Sequence, residues 1–354
     1  MPHLTNTSWV FIDFTHHMNP LFSSLAERIS ERETAMVVDH PVSILRSLQI
    51  PPLRARYAWQ NLSKRLGHFH PLHFPEKIPG FRRITQALNV HFMKKELDQL
   101  LPPRSLRIVL YGWPTHCRFA GKLGEALKIY YALDNKKVTL TGDPIPGELE
   151  AERILLSKVD LVLCVSQYLA RQLRKLADSQ KSPPIHVFPN HFNERFFVSH
   201  RDWPEPDGLQ AIPRPRLLVA GHLSERIDWE GITEACQMRP SWNWVFLGPA
   251  DPGIPGKIIR QLRAQGHYFP PIPVQQVPAW IQHCEACAAP YRLNSFTLAS
   301  DPLKVIESLA MGTPVLATKT PSLERYGQAV EWVDEGDGES YAHALDRVQK
   351  QIGD

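Results

Sequence analysis

Residues Ser300–Thr318 read SDPLKVIESLAMGTPVLAT, and this stretch decides the fold of the C-terminal half. Asp301 and Pro302 are typical of a helix start, because a carboxylate accepts hydrogen bonds from the first N–H groups and proline has no N–H to satisfy. Gly312 permits the left-handed turn that ends a helix, and the proline two residues later prevents the helix from continuing. Val315–Ala317 is then predicted to be a strand. The stretch therefore predicts a capped helix that turns sharply into a buried strand.

Two charged side chains stand together on this predicted helix. Lys304 and Glu307 are three residues apart and border its apolar face, so they are neighbours on the helix surface. A cation and a carboxylate near the positive end of a helix suit a diphosphate and a ribose diol. An ordinary surface ion pair has the same spacing, and on this segment alone both interpretations stay open.

Strand and helix patterns alternate along both halves of the 354-residue chain. This length suggests two domains, and the alternation predicts two open parallel sheets whose ligands bind beyond the carboxyl ends of the strands. We therefore predict an α/β protein of two facing Rossmann-like parallel-sheet domains with a cleft between them. The N-terminal domain is assigned to 1–200, a proline-rich linker to 201–215 and the C-terminal domain to 216–354, and the last helix is expected to pack back on the N-terminal domain. Within the first half, a helix is predicted over Phe119–Ala126.

Candidate site residues follow several of the predicted strands. Gly221 comes directly after the first strand of the second half, and Arg226 lies five residues later. A glycine at a strand end lets a phosphate approach the backbone, and a guanidinium group suits phosphate oxygens. In the first half, Asp134 follows a strand and is a candidate general base, with a turn cap as the alternative. His116 follows another strand and is an alternative base.

Composition excludes several classes of protein. No run approaches 18 apolar residues, and the first residues lack a basic segment and a cleavage site, so neither a membrane span nor a secretory signal is predicted. Five cysteines, an odd number and mostly widely spaced, argue for a reducing cytoplasm rather than a disulfide framework. No Asp-x-Asp pair is placed to hold a metal, and no nucleic-acid reader motif is present. We expect a cytoplasmic protein without a metal and without a nucleic-acid partner.

Charge is distributed unevenly along the chain. Residues 1–214 carry 28 basic against 20 acidic residues, whereas residues 215–354 carry 12 against 16. The segment Arg46–Lys95 holds ten basic residues and a single acid, Glu76, with aromatic residues interleaved. Basic and aromatic residues suit an anionic membrane surface, so peripheral contact with the inner face of the cell membrane is one interpretation. A solvated basic face is the other.

The run Ala289–Thr318, which reads APYRLNSFTLASDPLKVIESLAMGTPVLAT, resembles the donor-binding region of GT-B fold glycosyltransferases. It is most similar to a bacterial group (group 1 or group 4-like) with the pattern DPLK..E.LA.G.PV. The resemblance implies that Lys304 binds the diphosphate and Glu307 the ribose hydroxyls of a nucleotide sugar. The residues that it assigns to donor binding are Gly221, Arg226, Tyr291, Asp301, Pro302, Leu303, Lys304 and Glu307.

The same group has a "YD..DD" element, which Tyr130–Asn135 resembles. Tyr131 replaces its first acid and Asn135 its last, so Asp134 is the surviving carboxylate. Asp134 and His116 are therefore the two candidate catalytic residues, and which of them is the base stays open. In many relatives a further glutamate stands where this chain has Ala299.

The resemblance implies a hexosyltransferase-type enzyme that moves a sugar from a nucleotide sugar to an acceptor hydroxyl. Its acceptor would be a sugar or a lipid-linked molecule in cell-envelope polysaccharide or glycolipid synthesis. The enzyme is expected to be metal-independent and to need no cofactor besides the donor. Two alternatives remain: a nucleotide-sugar epimerase on the same fold, and a catalytically degenerate partner subunit that binds nucleotide sugar. The acids missing at Tyr131 and Ala299 keep the second alternative open.

Overall fold

The computed structural model describes residues 7–13, 20–39, 42–43, 60–61, 65–74, 81–177 and 182–353. The chain divides into two compact units. The first comprises Met1–Lys137, Ile145–Val165 and Leu169–Phe188. The second comprises Val138–Pro144, Ser166–Tyr168 and Pro189–Asp354, so it includes two short segments from the N-terminal half of the sequence.

The first unit is built on an eight-stranded sheet with the strand order β10-β9-β8-β7-β1-β2-β5-β4. Its neighbouring strands are parallel except for the edge pair β4–β5, and β3 and β6 form a separate parallel pair. The strands are β1 Thr7–Ile12, β2 Thr34–Val38, β3 Val42–Ser43, β4 Gln60–Asn61, β5 Leu66–Phe69, β6 Leu72–His73, β7 Leu106–Tyr111, β8 Leu127–Ala132, β9 Leu161–Cys164 and β10 Ile185–Val187. The helices are α1 Pro20–Ser30, α2 Arg82–Leu100, α3 Glu148–Leu156 and α4 Gln167–Leu176.

Central strands of this sheet contain continuous runs of buried residues. Ala35–Val38 in β2 and Tyr130–Ala132 in β8 are all buried. Such continuous apolar runs are what parallel strands need, because helices cover both faces of the sheet. The polar groups that follow these strands are thereby placed along its carboxyl edge.

The helix predicted over Phe119–Ala126 is wrong. A 3₁₀ helix covers Pro114–Arg118 instead, and turns follow it up to β8. Gly121 and Gly124 take positive φ values of 81° and 76°, which a right-handed helix does not accept. The Glu125 carboxylate accepts hydrogen bonds from the Gly121 and Leu123 N–H groups, so backbone donors of this segment are satisfied by a side chain rather than by a helix.

The second unit contains a six-stranded, wholly parallel sheet with the order β13-β12-β11-β14-β15-β16. Its strands are β11 Arg216–Ala220, β12 Asn243–Leu247, β13 Gly266–Phe269, β14 Ala286–Ala289, β15 Val315–Thr318 and β16 Glu331–Val333. Its helices are α5 Trp229–Met238, α6 Ile254–Leu262, α7 Val277–Gln282, α8 Leu303–Ala310 and α9 Gly338–Gly353.

The strand order of this sheet reverses at β11, which pairs with β12 on one side and β14 on the other. Ligands of open parallel sheets bind at the carboxyl ends of the strands at such a reversal. Separate apolar clusters cover the two faces of the sheet, one including Trp244 and Phe246 and the other including Trp280 and Val305. The last helix, α9, packs against α5 and β16. Among the residues described, no helix is long and apolar enough to cross a membrane.

Candidate functional site

Two glycines line the reversal point of the second sheet. Gly221 follows β11 with φ 107°, and Gly248 follows β12 with φ 139°. A Cβ atom on Gly248 would overlap the Gly221 carbonyl oxygen, so the two backbones pack directly against each other. A positive φ strains any other residue, so both positions favour glycine in this conformation.

The Lys304 ammonium lies over this glycine. A Cβ atom built on Gly221 would be 3.4 Å from Lys304 Nζ, and Nζ is 5.1 Å from the centroid of the Tyr291 ring. Nζ is buried and has no hydrogen-bond partner among the described residues. A buried cation without a hydrogen-bonded partner is costly, and an anionic ligand would remove that cost. Lys304 therefore marks an anion site at the N-terminal turn of α8.

Glu307 lies one turn further along α8. Burial raises the pKa of Glu307 to about 7, and the nearby Lys304 ammonium offsets only part of this effect. Ionising this buried carboxyl group therefore costs free energy. Ligand hydroxyl groups that donate hydrogen bonds to the carboxylate would stabilise the ionised form.

This raised pKa predicts a pH dependence of ligand binding. Ribose hydroxyls bind the ionised carboxylate, so affinity for a nucleotide sugar should rise by up to about tenfold per pH unit as pH increases towards about 7, and then level off. Calorimetric titrations between about pH 5.5 and 8.5 measure this change. A nucleotide sugar is the suitable probe because its diphosphate diester does not titrate in this range. Glu307→Gln, which cannot ionise, should show a flat profile, and an equal slope in both proteins would contradict the assignment.

Arg226 joins the same group of residues. Its guanidinium carbon lies 5.2 Å from the Tyr291 ring centroid, and its Nε is buried without a hydrogen-bond partner in the described part of the chain. Two backbone hydrogen bonds hold the loop in place, from Asp228 N–H to Pro290 O (2.9 Å) and from Arg292 N–H to Arg226 O (2.8 Å). The structure thus brings Gly221, Arg226, Tyr291 and Lys304 together.

Asp228 fixes this loop from behind. Its buried carboxylate caps α5 by accepting a hydrogen bond from Gly231 N–H (3.2 Å). It also accepts hydrogen bonds from Gly336 N–H (2.8 Å) and the Tyr341 hydroxyl (3.1 Å). A carboxylate with three donors is a rigid anchor, so the loop that carries Arg226 is held before any ligand arrives.

The expectation that Asp301 caps α8 is wrong. The N-cap residue is Pro302, no side chain caps the helix, and Leu303 is its first residue. The Asp301 carboxylate instead accepts hydrogen bonds from Arg325 Nη2 (2.9 and 3.0 Å) and from Asn190 N–H (2.8 Å). Burial raises the pKa of Asp301, although both partners oppose the shift. A guanidinium partner outcompetes the helix N–H groups, so Asp301 joins distant segments of the second unit.

The candidate bases lie in the first unit. Asp134 follows β8, and its Oδ2 is 3.0 Å from Lys136 Nζ. His116 lies in the 3₁₀ helix after the neighbouring strand β7 and is buried. Burial, together with the nearby Arg118 charge, lowers the pKa of His116 to about 3, so this imidazole is neutral at physiological pH. Both residues lie at the carboxyl edge of the sheet.

Two features of the site were missed from the sequence. His222, directly after Gly221, has its Nε2 atom 2.7 Å from Asp251 Oδ1. Lys136 is a close neighbour of Asp134 along the chain, but its contact depends on the turn after β8, which no periodic pattern predicts. A basic residue in the turn after a candidate carboxylate is the signal that could have found it.

In the described part of the chain, no group of three His, Cys, Asp or Glu residues is arranged to hold a metal ion.

Comparison with known proteins places this geometry in context. Residues 214–351 match the model of the family described as Glycosyl transferases group 1. The chain is 25% identical over 207 residues to the putative teichuronic acid biosynthesis glycosyltransferase TuaH of Bacillus subtilis (strain 168). That alignment covers 58% of this chain and 52% of TuaH, so the chain spans about half the length of this relative.

Solved structures resemble the chain over nearly its whole length. Sucrose-phosphate synthase from Thermosynechococcus elongatus has a TM-score of 0.71 at 16% identity, over 97% of this chain and 90% of that one. HepE from Anabaena, in complex with UDP-glucose, has a TM-score of 0.68 at 13% identity, over 98% and 90% of the two chains. Together with the two parallel-sheet units, these likenesses show that the chain has the GT-B fold, with a C-terminal unit that matches the group 1 glycosyltransferases.

Proposed function

We propose that this protein is a glycosyltransferase that moves a hexose from a nucleotide sugar to an acceptor hydroxyl, in cell-envelope polysaccharide or glycolipid synthesis. The observation that carries the proposal is the buried Lys304 ammonium, which lies over Gly221 at the start of α8 and has no hydrogen-bond partner among the described residues. Backbone N–H groups, a helix N-terminus and an unpaired cation together suit a diphosphate. Relatives support the same substrate class, since HepE was solved with UDP-glucose.

Each donor-site residue has a role in this proposal. Lys304 and Arg226 bind the diphosphate and stabilise the negative charge that develops on it as the sugar leaves. Glu307 accepts hydrogen bonds from the ribose hydroxyls. Two cations at the diphosphate can supply the charge that a metal supplies elsewhere, so we propose a metal-independent reaction with no cofactor besides the donor.

The reaction forms one C–O bond at the anomeric carbon, breaks another, and moves one proton. The acceptor oxygen attacks the anomeric carbon of the donor sugar, and the bond from that carbon to the diphosphate oxygen breaks, which releases the nucleoside diphosphate. Asp134 accepts the proton of the acceptor hydroxyl as general base. Lys136 Nζ lies 3.0 Å from Asp134 Oδ2 and so holds this carboxylate in place.

A donor screen tests the proposal directly. A panel of nucleotide sugars is compared for thermal stabilisation of the protein and for release of nucleoside diphosphate. At least one should raise the melting temperature and be hydrolysed slowly with water as acceptor. Binding without any turnover would favour the degenerate partner subunit, and free nucleotide with an altered sugar would favour the epimerase. Absence of binding by every nucleotide sugar would overturn the proposal.

We further propose that the protein works on the inner face of the cell membrane. Phe81, Ile84 and Leu88 are 56%, 56% and 36% exposed. Phe81 is the N-cap residue of α2, and Ile84 and Leu88 lie one turn apart within the helix. Arg83, in the first turn of the same helix, and Lys95 are also exposed. A helix that exposes both apolar and basic residues suits an anionic lipid surface, where each basic residue contributes about 1 kcal/mol. Much of the basic segment Arg46–Lys95, namely 46–59, 62–64 and 75–80, lies outside the described residues.

Vesicle sedimentation provides the measurement for this surface. The protein should sediment with anionic but not with neutral vesicles, and added salt should release it, because screening weakens the attraction. Combined Arg83→Glu and Lys95→Glu substitutions should abolish sedimentation without changing nucleotide-sugar affinity. Lys350→Glu, an exposed charge reversal on α9, is the matched control and should sediment like the unmodified protein. Equal partitioning to both vesicle types, or to neither, would contradict membrane contact.

A further inference from the structure

Trp113 occupies a fixed position at the carboxyl edge of the first sheet. It follows Gly112, where an added Cβ atom would lie 2.9 Å from the Phe22 ring, so the backbone before it is packed tightly. Pro114 begins the 3₁₀ helix directly after it. The Trp113 side chain is half-buried, which leaves part of an apolar ring at the edge of the sheet.

Charged groups surround this ring. Glu148 is the first residue of α3; burial raises the pKa of its carboxyl group, and an interaction with the Trp113 side chain opposes this shift. Lys136 Nζ lies 4.6 Å from the indole centroid and forms the ion pair with Asp134. Glu148 Oε2 is buried and has no hydrogen-bond partner among the described residues. Trp113, Asp134, Lys136 and Glu148 are called the Trp113 cluster below.

A second ion pair holds the backbone of this cluster. Lys137, the neighbour of Lys136, places its Nζ 2.5 Å from Glu152 Oε2, and the Tyr130 hydroxyl donates to Glu152 Oε1 at 2.7 Å. Glu152 is completely buried. A buried carboxylate with two charged or polar donors resists movement, so the turn after β8 is rigid and the cluster is preorganised.

We propose that the Trp113 cluster binds a neutral pyranose unit of the acceptor, an inference that rests on the proposed transferase function. A pyranose presents apolar C–H groups next to hydroxyls, and the cluster presents an apolar ring next to an ammonium and two carboxylates. Sugar hydroxyls can donate to Asp134 and to the unpartnered Glu148 Oε2, whose burial otherwise costs free energy. Two carboxylates against one ammonium disfavour a sugar that carries its own carboxylate.

Lys136 determines how the acceptor hydroxyl is oriented. A hydroxyl group can donate one hydrogen bond and accept another at the same time. The hydroxyl that donates to Asp134 can therefore accept from the neighbouring Lys136 ammonium, which directs its remaining lone pair. Lys136 is thus a specificity-determining residue that contacts the acceptor, in addition to its ion pair with Asp134.

Fluorine NMR of protein labelled with 5-fluorotryptophan tests this inference without requiring turnover. Trp113→Phe identifies the Trp113 resonance among the nine tryptophans. Methyl glycosides of glucose, galactose and mannose are titrated in turn, and methyl glucuronide serves as the acidic probe. At least one neutral glycoside should shift the Trp113 resonance, and methyl glucuronide should bind at least about tenfold more weakly. An unmoved resonance with every neutral glycoside, or equal binding of the glucuronide, would overturn the proposal.

Variants of Lys136 distinguish a role in glycoside recognition from a purely structural role. Lys136→Met keeps most of the side-chain length but has no N–H groups, so it should weaken glycoside binding about tenfold. Lys136→Arg should retain most of the binding, and the other tryptophan resonances should stay in place in both variants. Unchanged glycoside binding by Lys136→Met would remove Lys136 from the site. Nucleotide-sugar binding is measured separately, so failure of the proposed donor chemistry would be seen independently of the Trp113 cluster.

Discussion

Asp134→Asn is expected to reduce sugar transfer about 10²- to 10⁴-fold while nucleotide-sugar affinity stays unchanged. Asparagine keeps the shape and the hydrogen-bonding capacity of the side chain but cannot accept the proton of the acceptor hydroxyl. The loss should therefore appear in turnover rather than in donor binding. Initial rates of nucleoside diphosphate release, combined with calorimetric titration of the donor, measure the two quantities separately.

His116 is the matched comparison for this experiment. Its imidazole is buried, and its pKa of about 3 makes it a weak proton acceptor at physiological pH. His116→Gln preserves most of the volume, so its activity can be compared without a large cavity, and thermal denaturation checks that it is folded. Near-full activity of Asp134→Asn together with inactive, folded His116→Gln would assign the base to His116 instead.

Lys304→Ala is expected to weaken nucleoside diphosphate binding about ten- to a hundredfold. Hydrogen bonds to charged groups contribute about 1.5–3 kcal/mol, and about 1.4 kcal/mol corresponds to one decade of affinity. Calorimetric titration with a nucleoside diphosphate gives the value. Lys304→Met is the better control for packing, because it retains an aliphatic chain beside Tyr291 but has no charge.

The pH of this titration matters because Lys304 lowers the pKa of Glu307. Removing the ammonium leaves Glu307 more protonated near neutral pH, which would add a second loss of affinity. Titration at about pH 8.5, where the carboxylate is ionised in both proteins, isolates the contribution of the lysine. Affinity equal to that of the unmodified protein at this pH would remove Lys304 from the diphosphate site.

Local patterns predicted both the helix and the strand within Ser300–Thr318. The signals that predict them, Gly312 and the apolar periodicity, each span only a few residues. The structure accordingly has α8 and β15 close to their predicted positions. The cap was wrong for a non-local reason, since Asp301 pairs with Arg325 and with Asn190, which lies 111 residues away. Such partners are brought together only by the tertiary fold.

The wrong helix over Phe119–Ala126 has a comparable cause. Its alanine, lysine, leucine and glutamate residues favour a helix, but Gly121 and Gly124 do not. Glu125 also accepts a hydrogen bond from the Tyr111 hydroxyl and so ties the segment to the end of β7. The site geometry was likewise only partly predictable. Lys304 and Glu307 share one helix, so their spacing is encoded locally, whereas the contact of Lys304 with Gly221 joins residues more than eighty positions apart.

The packing of Gly248 against Gly221 affects how related chains should be compared. Gly248 excludes a side chain because of backbone contact, and Gly221 disfavours one because of its positive φ, whether or not any sugar is transferred. A relative that had lost its activity would keep these glycines for as long as it kept its fold. Their conservation would therefore record ancestry, whereas substitutions at Lys304 and Glu307 would separate chains that still bind a donor from those that no longer do.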